Sequence, residues 1–166
     1  MLLRARNVKI TTMKKRVSVK WEHNLMFQGI ADNRIIDLDA GLNEGGNGAG
    51  MRPKALLLIA LGGCTGMDVV NLLTKMREKF SSFEVNIEAT INPEQPLVYN
   101  GFEVTYLISG KEIHTPKVVK AVTMSMNTYC GVASMLRKVA PVTYHIIVNG
   151  IHLDLDKFKT DDIMTD

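Results

Sequence analysis

Apolar and polar residues alternate in the first part of the chain. In RVSVKW the apolar residues Val17, Val19 and Trp21 occupy every second position. A period of two is typical of a β-strand with one buried face. The stretches LMFQGIA and RIIDLD follow, separated by the turn signal Asp-Asn. We therefore expect an N-terminal antiparallel sheet of three strands.

A glycine-rich stretch, AGLNEGGNGAGMRP, comes next and has no periodicity. A loop of this length is usually mobile or functional. The helical pattern that follows runs from Pro53 to Lys79. Proline suits a first helical position, and the basic last turn suits the negative end of the helix dipole. The first half of this segment is apolar on every side, which predicts a helix buried at the centre of a fold.

Three glycines interrupt this apolar half at positions 62, 63 and 66. Each costs a helix about 1 kcal/mol relative to alanine. We expect the close approach of another backbone to account for them. Cys64 would then lie at a tight contact between helices.

The second half of the chain predicts two strands, a pair of helices and a last strand. FEVNIEATI and GFEVTYLISG have strand patterns, and PVTYHIIVNG supplies the final strand. Between them, a helix capped by Thr115 with Pro116 as its first residue extends to Cys130, and VASMLRKV forms a short second helix. Blocks of strands with segregated helices are typical of an α+β fold. A central helix that is apolar all round favours a dimer that buries it jointly.

Length and patterning divide the chain into three parts. The 166 residues suit one domain. We assign residues 1–12 to a loosely attached leader or an alternative start before Met13, residues 13–150 to the domain, and residues 151–166 to a tail that is loose or an edge extension.

The composition argues against several classes of protein. With 46% hydrophobic and 22% charged residues, the chain has enough apolar material for a core. The net charge of +3 is spread along the sequence, whereas nucleic-acid binders concentrate Lys and Arg in a stripe. No uncharged apolar run reaches about 18 residues, so we expect no membrane span. No secretory signal is visible, so we expect a cytoplasmic protein.

Cys64 and Cys130 are the chain's two cysteines. In a reducing cytosol stable disulfides are rare. The pair is therefore either two small buried hydrophobes or a redox pair. No C-x-x-C spacing suggests a metal site. Asp68, one turn beyond Cys64, is interpreted as a surface carboxylate.

The two thiols differ in the activation that the sequence offers them. Cys130 precedes GVASMLRK, and a position at the N-terminus of a short helix favours a thiolate. Cys64 lies about three turns into its helix and needs a donor from elsewhere. Arg52 and Lys54, just before that helix, are the candidate thiolate-activating residues.

Several stretches together resemble the OsmC/Ohr family of thiol peroxidases. These are the glycine-rich loop, the P-x-x-L-L helix start, ALGGCTGMDVV, and YCGVASMLRKVAPVTYHI far downstream. The resemblance covers roughly Lys14 to Gly150. It implies an intertwined homodimer in which two long cysteine-bearing helices lie at the centre and antiparallel sheets from both chains wrap around them.

The resemblance also implies a reaction, the reduction of organic hydroperoxides. Cys64 would be the peroxidatic thiol that becomes a sulfenic acid, and Cys130 the resolving thiol that forms a disulfide with it. No bound cofactor is implied. The reductant would be an external dithiol of the dihydrolipoamide type.

The sequence departs from the family pattern at the residues that activate the first thiol. Family peroxidases use an arginine from an early strand turn and a glutamate near the start of the long helix. Here the corresponding turn, WEHNLMF, has no arginine, and Lys54 occupies the glutamate position. The alternative is therefore an OsmC-like protein without peroxidase activity that binds a small apolar or electrophilic ligand at the dimer interface.

Overall fold

The structure, a computed structural model, describes residues 13–158 of the chain. The expected leader, residues 1–12, and the last part of the expected tail, residues 159–166, lie outside the described residues. The chain divides into two units, Met1–Pro53 and Lys54–Asp166, called here the first and the second unit.

Three antiparallel strands make up the sheet of the first unit, in the order of the sequence. They are β1 (Ser18–His23), β2 (Met26–Ala31) and β3 (Arg34–Leu38). Asp32 and Asn33, between β2 and β3, both have positive φ, which is the backbone of a tight hairpin turn. The strand prediction is confirmed here. The face expected to be half-buried is not covered by the residues that the structure describes, since Val19 and Trp21 are each 59% exposed.

The glycine-rich loop is folded around the buried carboxylate of Asp39. That side chain accepts hydrogen bonds from the backbone N–H groups of Ala40, Asn47 and Ala49, at 2.8, 3.0 and 3.1 Å. The bond from Ala49 is the largest influence that holds the pKa of Asp39 below its usual value. Gly46 is required by close approach, because a Cβ there would lie 2.3 Å from the carbonyl oxygen of Ala40.

The second unit combines a long helix with a four-stranded sheet and two shorter helices. Its elements in chain order are α1 (Pro53–Lys75), β4 (Ser82–Ile91), β5 (Tyr99–Ser109), α2 (Thr115–Met124), a π-helical turn (Ser125–Tyr129), α3 (Gly131–Leu136), β6 (Val142–Val148) and β7 (Ile151–His152). The sheet order is β4-β5-β6-β7. The α+β class is confirmed. One pair differs from the expected antiparallel arrangement: β5 and β6 are parallel, because α2 and α3 form the crossover that parallel strands need.

Helix α1 ends four residues earlier than predicted. Arg77 adopts a left-handed backbone with φ of 54°, and the N–H of Glu78 bonds to the carbonyl of Leu73. This is the six-to-one hydrogen bond of a Schellman motif, which stops a helix. The chain is thereby turned towards β4.

The core of the second unit lies between the sheet and the helices. Tyr106 and Ile146 on the sheet, Leu61 and Val69 on α1, and Val118 on α2 are among its fully buried members. The part of the expected tail that the structure describes continues this unit, with β7 paired to β6 at the sheet edge.

The glycines of α1 face side chains and not another backbone. A Cβ on Gly62 would lie 3.2 Å from Ile87 of β4, and one on Gly66 would lie 3.4 Å from Phe83 and Val85. A Cβ on Gly63 would meet nothing within 4 Å. The prediction that another backbone approaches these glycines is therefore wrong for the described residues. The bulk of the β4 side chains explains why two of the three positions are glycine.

Among residues 13–158, the contacts made by α1 bury one of its faces and leave the other exposed. Ile59 is 53% exposed and Met67 is 72% exposed, so the expectation of a helix covered on all sides is not met by a single copy. By length and composition α1 is apolar enough to cross a membrane, with a mean hydropathy of 1.8 over its apolar window. Because its other face packs into the core of a mixed domain, we assign it to the core of the fold.

Glu78 anchors the N-terminus of α2 from the end of α1. Its buried carboxylate accepts the backbone N–H of His114 at 2.6 Å and lies 3.0 Å from Nζ of Lys117. His114, and not the expected Thr115, is therefore the cap of α2. Burial alone would raise the pKa of Glu78, but these hydrogen bonds and the charge of His114 lower it overall.

We expect Glu78→Gln to lower the free energy of unfolding by about 1–3 kcal/mol at pH 7, because His114 and Lys117 lose the charged acceptor that the buried carboxylate provides. The native pKa lies below the usual 4.5, so the stabilisation is present above that pH and is lost as the pH falls through the native pKa. The difference between the variant and the wild type should therefore shrink below pH 4.5. Urea unfolding across this range measures it, with the exposed Glu84→Gln as control. A constant difference at all pH values would contradict the assignment.

Candidate active site

The two cysteines, distant in sequence, meet in the second unit. The sulfurs of Cys64 and Cys130 and a carboxylate oxygen of Asp68 all lie within 4.8 Å of one another. Both cysteines are free thiols. Cys64 and Asp68 are four residues apart on α1, and this spacing places them on one side of the helix. The structure thus brings the predicted pair together and adds a carboxylate to it.

Cys130 is positioned by the π-helical turn that precedes it. Its N–H donates to the carbonyl of Ser125, five residues back, at 2.8 Å. It is also the N-cap of α3, where its sulfur accepts the N–H of Ala133 at 3.4 Å. π-Helical turns are rare and frequently occur at functional sites.

The expected thiolate character of Cys130 is not what its surroundings favour. The residue is only 2% exposed, and burial raises the pKa of its thiol to about 11. The hydrogen bond from Ala133 acts in the opposite direction and does not compensate, while the neighbouring Cys64 raises the pKa further. At neutral pH Cys130 is therefore a protonated thiol. Cys64 is less deeply buried.

A chain of buried hydroxyl groups leads from the core to Asp68. The hydroxyl of Thr65 bonds to that of Tyr106 and, at 2.8 Å, to that of Ser125. Ser125 donates to Oδ2 of Asp68 at 3.2 Å. The carbonyl of Thr65 also lies 3.3 Å from Ser125, but a carboxylate is the stronger acceptor for its one proton.

The direction of this chain follows from counting protons. Since Ser125 donates to Asp68, it accepts from Thr65, which in turn accepts from Tyr106. Burial raises the pKa of Tyr106, so its phenol keeps the proton that the chain requires. The carboxylate of Asp68 is thereby held in one orientation beside the thiols.

Sequence reasoning missed most of this arrangement. Asp68 was expected at the surface, but it is half-buried beside both sulfurs. Its spacing of four from Cys64 was the available signal. No signal pointed to Ser125, because its contact depends on the π-helical turn.

The two activating candidates have other contacts within their own units. Lys54 donates to the carbonyl of Leu97 at 2.5 Å, and its Nζ lies 5.1 Å from the ring centroid of Tyr99. It precedes Cys64 by ten residues, which is about 15 Å along a helix. Arg52 pairs with Glu44 at 3.4 Å in the first unit. Their role in activating Cys64 stays a prediction.

The family model described as OsmC-like protein matches residues 45–145, which includes both cysteines. The chain is also 32% identical to Protein YhfA of Escherichia coli strain K12 over 127 residues, covering 76% of this chain and 92% of YhfA. The protein belongs to the OsmC family.

Solved structures agree with this OsmC assignment at the level of the fold. An OsmC like protein from Mycoplasma pneumoniae superposes with a TM-score of 0.71 at 12% identity, covering 83% of this chain and 99% of that one. An organic hydroperoxide resistance protein from Legionella pneumophila gives a TM-score of 0.61 at 12% identity, covering 82% and 98%. Such identities establish the shared OsmC fold alone.

We expect Thr65→Val, which keeps the shape of the side chain, to destabilise the protein by about 1–3 kcal/mol, because the buried Tyr106 and Ser125 hydroxyls lose a partner. Thr74→Val is the matched control on the same helix, since Thr74 is exposed and bonds only to the carbonyl of Val70. Chemical denaturation of both variants measures the difference. Equal stabilities would show that the hydroxyl chain contributes nothing.

Proposed function

We propose that this protein is a cysteine-based peroxidase that reduces organic hydroperoxides. The observation that carries the proposal is the meeting of two free thiols within 4.8 Å, which leaves only a small movement to a disulfide bond of about 2.05 Å. A pair of inert core thiols has no need of this proximity. Membership of the OsmC family supports the same function.

Burial distinguishes the roles of the two thiols. Cys64 is the less buried of the pair and attacks the peroxide as its thiol proton is lost. A sulfur–oxygen bond forms, the oxygen–oxygen bond breaks, and Cys64 becomes a sulfenic acid. Asp68 is the acceptor within reach of the thiol proton. The alkoxide takes up this proton and leaves as an alcohol.

Cys130 completes the reaction as the resolving thiol. Its buried, protonated state suits a group that must wait for the sulfenic acid to form. The condensation makes a disulfide and releases water. An external dithiol of the dihydrolipoamide type then reduces the disulfide by exchange and is itself oxidised.

We include a homodimer in the proposal. Within one copy, Ile59 and Met67 of α1 are exposed, and so are Val19 and Trp21 in the first unit. Exposed apolar side chains that share one helix, as Ile59 and Met67 do, can mark a protein–protein interface. A second copy would bury these surfaces and bring the two α1 helices together.

A groove between α1 and β4 favours a second candidate function, the binding of a small apolar or electrophilic ligand. Its volume is about 730 Å³, and its lining includes Leu58, Ile59, Met67, Val85 and Ile87. This volume lies within the usual range of ligand pockets.

Treatment of the reduced protein with one equivalent of cumene hydroperoxide separates the two functions. We expect both thiols of the wild type to disappear together within seconds, because the first oxidation leads directly to a disulfide. Cys64→Ser should leave Cys130 reduced, and Cys130→Ser should stop at the sulfenic acid. Thiol titration and intact mass measure these products. If both wild-type thiols survive, the peroxidase proposal is wrong and ligand binding becomes the better account.

The dimer has its own test. We expect Met67→Glu to raise the dissociation constant of the dimer at least about tenfold, because a charge would be buried at the contact; tenfold corresponds to about 1.4 kcal/mol. Val139→Glu is the matched control, since Val139 is 76% exposed and lies outside α1. Sedimentation velocity over a range of concentrations measures both variants. A wild-type monomer at all concentrations would contradict the dimer.

A further inference from the structure

We propose that the reduced protein binds one Zn²⁺ per chain through Cys64, Cys130 and Asp68. The two sulfurs and the carboxylate oxygen lie within 4.8 Å of one another, and this is the one such group found among residues 13–158. Zinc bonds of about 2.3 Å to sulfur and 2.0–2.2 Å to oxygen place tetrahedral ligands roughly 3.5–3.8 Å apart. Small side-chain adjustments therefore suffice to close the three donors around one ion.

The types of donor suit zinc. Two thiolates select soft or borderline ions, and a carboxylate completes a donor set that zinc accepts. Three protein ligands with a fourth position open are typical of zinc sites that exchange ligands. The ion would thus be held by protein on three sides, with water in the fourth position.

The proposed metal ligands already have the hydrogen-bond partners that such ligands require. Ser125 bonds to Oδ2 of Asp68 at 3.2 Å, which leaves Oδ1 available to an ion. Thr65 holds Ser125 in place at 2.8 Å. The N–H of Ala133 bonds to the sulfur of Cys130 at 3.4 Å. Hydrogen-bond partners of this kind orient the residues that ligate the metal. Their removal typically lowers metal affinity 10–100-fold.

Binding of the ion releases protons and leaves the closed site with a net charge of −1. Two thiols lose their protons to solvent, which leaves two thiolates and one carboxylate around a dication.

This binding would control the thiols directly. A thiolate that coordinates Zn²⁺ is not free to attack a peroxide, and two coordinated sulfurs are held from joining in a disulfide. Conversely, oxidation to the disulfide would release the ion. The inference concerns the reduced site alone and does not depend on peroxidase activity.

The test uses reduced, metal-free full-length protein under anaerobic conditions, titrated with Zn²⁺ against a chromophoric chelator. We expect one high-affinity ion per chain. Cys64→Ser and Cys130→Ser should each remove this binding, and Asp68→Asn should weaken it. Ser125→Ala should weaken it by about 10–100-fold. The exposed Glu88→Gln is the matched carboxylate control and should bind as the wild type does.

Cobalt provides a readout of the ligands themselves. Co²⁺ in place of Zn²⁺ should give thiolate-to-metal charge-transfer bands that weaken in either cysteine variant. If a variant does not fold, alkylation of both thiols in the folded wild type should abolish binding equally well. The inference is overturned if the reduced protein binds no Zn²⁺, if the cysteine variants or the alkylated protein bind as the wild type, or if Asp68→Asn leaves the affinity unchanged.

The two proposals fail separately. Zinc binding is measured without peroxide, and peroxide consumption is measured without metal. Loss of thiols to cumene hydroperoxide in a protein that binds no zinc would overturn only the metal site. Zinc binding in a protein whose thiols survive peroxide would overturn only the peroxidase.

Discussion

The buried hydroxyl of Thr65 is the contact on which the rest of the site depends. It bonds to Tyr106 on β5 and to Ser125 in the π-helical turn, so it joins three elements at one atom. Because buried polar groups are almost always hydrogen-bonded, each of these hydroxyls has to find a partner there. Ser125 in turn donates to Asp68, and these bonds tie α1 to the segment that carries Cys130. The position of the thiols is thus a consequence of hydrogen-bond satisfaction inside the second unit.

The periodicity of the sequence was sufficient to predict the elements and their order, because strands and helices impose local patterns. The alternation around Val19 predicted β1, and Pro53 marked the start of α1. Burial could not be predicted in the same way. Ile59 and Met67 are apolar, yet a sequence does not specify whether an apolar face is covered by its own chain or by a second copy. The parallel pairing of β5 and β6 likewise depends on the crossover through α2 and α3, which is a tertiary feature.

Only the part of the candidate site that consists of rare residues could be predicted from the sequence. Cys64 and Cys130 stood out because they are the two thiols of the chain. Asp68 did not, since a carboxylate four residues from a cysteine on a helix is common and usually solvated. The state of Cys130 was also mispredicted, because the favourable effect of a helix N-terminus was considered without the cost of burial. Burial prevails here because desolvation of a thiolate outweighs the hydrogen bonds from the backbone at the start of α3.

The same physical features serve both reactions proposed for the thiols. A disulfide requires two sulfurs that can approach each other, whereas a zinc site requires those sulfurs and an oriented carboxylate. A disulfide by itself does not explain why Asp68 is held in place by Ser125. A carboxylate that is hydrogen-bonded on one oxygen and lies beside two thiols can take a proton or ligate a cation, and both roles benefit from the fixed orientation that the hydroxyl chain provides. The buried chain therefore supports Asp68 directly, in addition to tying α1 to the segment that carries Cys130.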